Sequence, residues 1–151
     1  MLNEIAAKEI GYKEGANNAN KYSQALHKPN ESWCVDFVQW VADQAGSKGV
    51  LPDTSYCPFL LNWAKENNLI VPTQMATKDD LVLFCWDNTK VPEHIGIVTG
   101  FYDPKTKTIP TIEGNTGDPS QNQSNGDGVY AKHRPVQFVV AVFRPHWKVS
   151  K

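Results

Sequence analysis

The apolar period of this chain changes once, near residue 70, and that change limits the fold more than any other feature. Before it, apolar residues recur at helical spacing. In "NESWCVDFVQWVADQAG" (30–46), Cys34, Phe37, Val38, Val41 and Ala45 fall at i, i+3, i+4, i+7 and i+11, with Asn30 or Ser32 to cap the helix and Gly46 to end it. Residues 2–10 place Leu2, Ile5, Ala6 and Ile10 on one stripe, with Gly11 as the stop. Residues 58–68 open with Pro58 at a first helical position and read as a third helix. The polar stretch before Asn30 reads as a loop with one helical turn at most. After residue 70 come short β-branched and aromatic runs: 81–86, 94–102, 108–114, 128–133 and 138–145. Turn residues part them, including Asp103-Pro104 and Asp118-Pro119, and 115–128 is one long polar loop. Helices first and closely spaced strands second predict an α+β fold, three N-terminal helices packed on an antiparallel sheet of about five strands.

Several function classes are excluded early. The net charge is −1 and no Lys/Arg block stands out, so neither nucleic acid nor an anionic membrane surface is expected as a partner. No run approaches the roughly 20 apolar residues of a membrane helix. The charged N-terminus "MLNEIAAKEIGYKEG" lacks a signal peptide's apolar core, so synthesis as a soluble chain, exported by another route, is expected. With no linker or repeat, residues 1–151 are expected to form a single domain. Three Cys, at 34, 57 and 85, are neither a disulfide framework nor a zinc set.

Cys34 then poses a question, because a thiol in a helix's first turn is either a small core residue or a nucleophile. Unpaired backbone N–H groups and the positive end of the helix dipole favour the thiolate there. A nucleophilic Cys needs a base, and the base an orienter. His94 opens the strand "HIGIVTGFY", and Glu113 and Asn115 stand at the end of the next, in "TIEGNT". If those strands pair as a hairpin under the helix, Cys34, His94 and Glu113 meet. Glu113 is odd in a buried strand unless paired. Asn115, before Thr116-Gly117, fits turn chemistry equally well. Cys57 and Cys85 read as core thiols, Cys57 being the one rival nucleophile. His27, His133 and His146 read as surface or packing residues. Trp33 and Trp86 either wall a substrate groove or fill core.

The "WCVDFVQW" helix, the "HIGIV" strand and the "TIEGN" strand, in that order, resemble the CHAP (cysteine, histidine-dependent amidohydrolase/peptidase) family of bacterial cell-wall hydrolases, as do the lead-in "EIGYKEGANNANKY" and the "DLVLF" strand. The resemblance runs from about residue 2 to residue 145. It implies a papain-like fold, Cys34 as nucleophile, His94 as base, Glu113 as third residue and Asn115 as the polar residue two positions on. It implies an amide bond of peptidoglycan as target, either the muramoyl–alanine amide or a stem or cross-bridge peptide bond, with no cofactor. "TKDDLVLF" departs from the family's usual Pro-Gly-Asp turn. Some members carry an Asp-rich calcium loop before the nucleophile; here "YSQALHKPNES" has one carboxylate, Glu31, and Asp36 alone cannot supply the six or more oxygens calcium takes, so no metal is expected. No wall-binding domain and a monomer are expected. The missing signal peptide suits release by a phage holin, delivery on a phage tail or injection by a secretion machine, the last with an immunity protein as partner. Two other readings use the same chain: acyl transfer of transglutaminase type by the same triad, and a catalytically silent wall-binding module.

Overall fold

A computed structural model of the chain describes residues 1–117 and 126–148. Among them four α-helices come first: α1 (Leu2–Lys8), α2 (Lys21–Ala25), α3 (Cys34–Gln44) and α4 (Cys57–Glu66). Six strands follow: β1 (Ile70–Val71), β2 (Leu81–Phe84), β3 (His94–Val98), β4 (Thr108–Thr116), β5 (Gly128–Pro135) and β6 (Val139–Phe143). The change of period is thus the boundary between helices and strands, and the fold is α+β as expected. The Asp118-Pro119 turn lies outside the described residues.

The counts differ from the sequence reading in small ways, each with a local cause. The extra strand, β1, has two residues, too few to show any alternation. The extra helix, α2, occupies the polar stretch, where the Asn20 side chain accepts from the Ser23 N–H at 2.8 Å and starts a short helix. Ile10 is 45% exposed because α1 stops at Lys8 and the chain turns at Gly11, whose φ is +99°.

Neighbouring strands are antiparallel, in the order β1-β6-β2-β3-β4-β5. β2 to β5 form a meander, and β6 returns to lie between β1 and β2. Alternation along each strand gives the sheet two different faces. Leu81, Leu83, Ile95, Ile97 and Ile112 join the helices in the main core. Val82, Phe84, Val98, Ile109 and Val142 form a second apolar cluster on the other face.

Helix α3 packs on β3 and β4, and its contact with β4 is unusually close. A Cβ on Gly114 would stand 2.6 Å from Phe37 Cβ and 2.8 Å from the Trp33 ring. Only a residue without a side chain lets β4 run against the start of the helix. Asp36, one turn in, is buried, and its carboxylate accepts from the hydroxyls of Ser23 and Ser55, the former at 2.7 Å. It ties α2 and the segment leading to Cys57 onto α3. The departure "TKDD" is also a tie: Asp79 accepts from Asn3 of α1, and Asp80 from Arg144 beyond β6. Among the described residues no helix is long and apolar enough to cross a membrane.

Candidate active site

Cys34 is the first residue of α3 and is 3% exposed. The capping expected from Asn30 or Ser32 does not occur: Trp33 is the N-cap, with no side-chain cap bond. Ser32 is engaged elsewhere, its Oγ accepting from Asn115 Nδ2 at 2.8 Å. The first-turn N–H groups therefore remain for the sulfur and for whatever approaches it. The Val35 N–H already helps to lower the Cys34 pKa.

His94 and Glu113 are fully buried, and His94 Nε2 bonds to Glu113 Oε1 at 2.7 Å. The hairpin reading explains how. Ile97 pairs with Ile112 and Val98 with Thr111, which brings Glu113 opposite Gly96. His94 and Gly96 share a face, so the Glu113 side chain lies over Gly96 to reach the imidazole. A Cβ on Gly96 would stand 2.8 Å from Glu113 Cγ. With Nε2 bound to the carboxylate, Nδ1 is the ring nitrogen left over; it meets no nitrogen or oxygen partner, and the imidazole interacts with the Cys34 thiol.

Glu113 has further partners. Thr111 Oγ1 donates to Oε2, and Arg134 of β5 donates through Nε to Oε1 and Oε2 at 3.1 and 2.9 Å and through Nη2 to Oε1. Burial opposes a charge on Glu113, but the bonds from Arg134 and His94 outweigh it and hold the carboxyl at about 2. Burial likewise opposes the imidazolium, and the interactions with Cys34 and Glu113 outweigh it, raising His94 to about 9. The Cys34 thiol is held well below its ordinary value, first by a hydrogen bond from Cys57 and then, against burial, by His94. Cys57 is pushed well above its ordinary value by sharing that bond and by burial. The arrangement favours a thiolate–imidazolium pair with a protonated thiol beside it.

The remaining expected residues fall as follows. Asn115 is buried and does not bond to His94; it sits at φ +54° where the β4–β5 register shifts, a bulge that suits Asn. Trp33 is not a groove wall. It is 0% exposed, stacked on Tyr22 at 5.4 Å, with its indole N–H donated to Glu14 at 2.9 Å. Tyr12, Tyr22 and Phe37 close around it, so it is core. Trp86 is half-buried, stacked on Phe84 at 5.5 Å and with its ring 5.9 Å from that of His94. His27, His133 and His146 are exposed, and Cys85 is buried and donates to Asp87. Sequence reasoning missed Arg134 and the contact between Cys57 and Cys34. A basic residue beside a strand holding a buried acid was the signal for the first; nothing local signalled the second.

Among the described residues, three buried side-chain polar atoms lack a hydrogen-bond partner: His94 Nδ1, Asn115 Oδ1 and Trp86 Nε1. All three belong to the expected site set, which is where unpaired groups await a ligand. Among the described residues one group of side chains has metal-ligating spacing, Cys85, Asp87 and Glu93, with ligand atoms within 4.8 Å of one another; its two acids are exposed.

Residues 26–115, more than half of the chain, match the family model described as CHAP domain. A crystal structure from Staphylococcus aureus, of a protein described as similar to lipoprotein and of the NLP/P60 family, superposes with a TM-score of 0.53 at 17% identity. The superposition covers 95% of this chain and 39% of that one, so this chain spans well under half of its neighbour's length. The likeness is one of fold, papain-like in kind. No curated protein sequence matches the chain.

Proposed function

This chain belongs to the CHAP domain family, whose members are cysteine peptidases and amidases acting on peptidoglycan, and from that premise we propose that it hydrolyses an amide bond of peptidoglycan with Cys34 as nucleophile. The observation that carries the reading is the buried His94–Glu113 bond of 2.7 Å, beside a thiol that opens an uncapped helix. The Cys34 thiolate attacks the scissile carbonyl. The backbone N–H groups at the start of α3, that of Cys34 among them, face the developing oxyanion. His94 Nδ1–H gives its proton to the leaving amine and then, as a neutral base, takes one from the water that opens the thioester. Glu113 keeps Nε2 protonated, so that Nδ1 is the working nitrogen, and it stabilises the imidazolium. Trp86 lines the site, and Asn115 fixes the segment that leads into Cys34. The described domain is the whole catalytic unit in this reading, and it works without a cofactor. The target is the muramoyl–alanine amide or a stem or cross-bridge peptide bond.

The test is digestion of purified peptidoglycan by the parent and by Cys34→Ala, with the fragments identified by mass spectrometry. New amine and carboxylate ends from the parent alone are expected, and their masses name the bond. A folded Cys34→Ala protein that releases the same fragments would refute the assignment.

A further inference from the structure

Arg134 is 4% exposed, yet it lies outside the segment that matches the family model. Its Nε and Nη2 both reach Glu113, and Nη2 also donates to Thr116 Oγ1 at 3.2 Å. Its guanidinium carbon sits 4.6 Å over the Trp86 ring and 5.4 Å over the Phe84 ring. Phe84 in turn stacks with His94, centroids 6.1 Å apart. A planar cation thus lies within cation–π distance of two aromatic rings and grips the same carboxylate that holds the imidazole.

In the reactive state Cys34, His94, Glu113 and Arg134 form a row of alternating charge, minus, plus, minus, plus, that sums to zero. Without Arg134 the buried row carries one net negative charge, and a buried unpaired charge is relieved by taking up a proton. The proton goes to Glu113, which then loses its acceptor role, or to the thiolate, which then loses its nucleophilicity. Among the described residues, the other titratable groups near the row are Cys57 of α4, Glu93 just before β3 and Lys132 of β5, whose ammonium donates to the Gly117 carbonyl. Glu93 is acidic, so it cannot take over from Arg134.

We propose that Arg134 is a positioning residue of this site, which fixes Glu113 as an ionised acceptor for His94 and sets the pH range in which Cys34 and His94 exist as an ion pair. This rests on the reading of Cys34 and His94 as nucleophile and base. A purely structural arginine would affect melting alone.

The experiment measures the rate at which iodoacetamide alkylates Cys34 across pH, in the whole chain, with the labelled peptide identified by mass spectrometry and melting followed in parallel. Removing a cation two groups away raises the pKa of the thiol, so Arg134→Met should move the acid limb of the profile up by about one pH unit. Arg134→Lys keeps the charge but cannot span both carboxylate oxygens. It should keep the parent's acid limb while hydrolysis slows by about 10-fold. An acid limb that stays in place in a folded Arg134→Met chain overturns the proposal, as does an Arg134→Lys limb displaced like that of the methionine variant. If Arg134→Met does not fold, Arg134→Lys decides: a parent limb with slowed hydrolysis supports the proposal, and a parent limb with parent hydrolysis overturns it. Alkylation reads the thiolate whatever the substrate, so the Arg134→Met profile answers for Arg134 even in a chain unable to cut peptidoglycan.

Discussion

Gly96→Ala is the most telling single change, because it disturbs the Glu113–His94 bond without replacing an ionisable group. The added Cβ would lie 2.8 Å from Glu113 Cγ and 3.3 Å from both Glu113 Oε2 and Thr111 Cβ. Carbon atoms settle at about 3.5–4.0 Å, so Glu113 must retreat by about 1 Å or the strands must part. Retreat stretches the 2.7 Å bond to His94 toward about 3.5 Å, where it no longer counts as a hydrogen bond. Arg134 and Thr111 both bond to the carboxylate, so it cannot swing round the methyl and re-form the bond without giving up those partners. A misplacement of this size costs roughly 10²-fold in rate, and overpacking costs about 1–3 kcal/mol in stability. Initial rates on a soluble peptidoglycan fragment, with thermal melts, would measure both. Gly100→Ala is the control, since its Cβ would meet Pro110 Cγ at an ordinary 3.5 Å, and it should keep the parent's rate. A folded Gly96→Ala chain that works at the parent's rate would refute the idea that Glu113 acts through His94.

Glu113→Gln should slow hydrolysis by about 10- to 10³-fold, and His94→Ala by more, since it removes the proton carrier itself; equal rates for Glu113→Gln and parent in the same assay would break the triad. Cys57→Ala should move the acid limb of Cys34 alkylation to higher pH. A hydrogen bond from the Cys57 thiol favours the Cys34 thiolate, and losing a donor to the charged form raises the pKa. An acid limb at the parent's pH would show that Cys57 only fills space.

Much of this site was legible in the sequence, for identifiable reasons. Cys34 announced itself by the helical spacing that follows it, His94 and Glu113 by a strand pattern with a polar residue at each end. The need for a partner to Glu113 was legible too, since a buried carboxylate must be paired. Its identity was not, because Arg134 reaches it only through the register of β4 against β5, in which Ile109 pairs with Arg134. A strand ending at His133, as the residue pattern suggests, stops one residue before Arg134 and two before the end of β5 at Pro135. The fate of Trp33 was likewise set by tertiary packing: rings from α2, α3 and the loop after α1 close on it, and no local pattern records that. The cap failed for a similar reason, since Ser32 suits helix capping until Asn115, from the far end of β4, engages its hydroxyl.

The return of β6 has a consequence for the order in which this molecule becomes itself. Leu81 pairs with Phe143, and the strands bearing the imidazole and the carboxylate lie between them in the chain. Pairings between distant residues form late, because the intervening loop must first close. Until β6 arrives, β2 is an open sheet edge, and until β5 arrives Glu113 lacks the guanidinium of Arg134. A nascent chain therefore carries its thiol, base and acid through most of its synthesis as separate, ordinary groups. Reactivity is a property of the finished topology. A chain ending before Val139 should alkylate at Cys34 with the pH profile of a free thiol, and the activated profile in such a fragment would overturn this order of assembly.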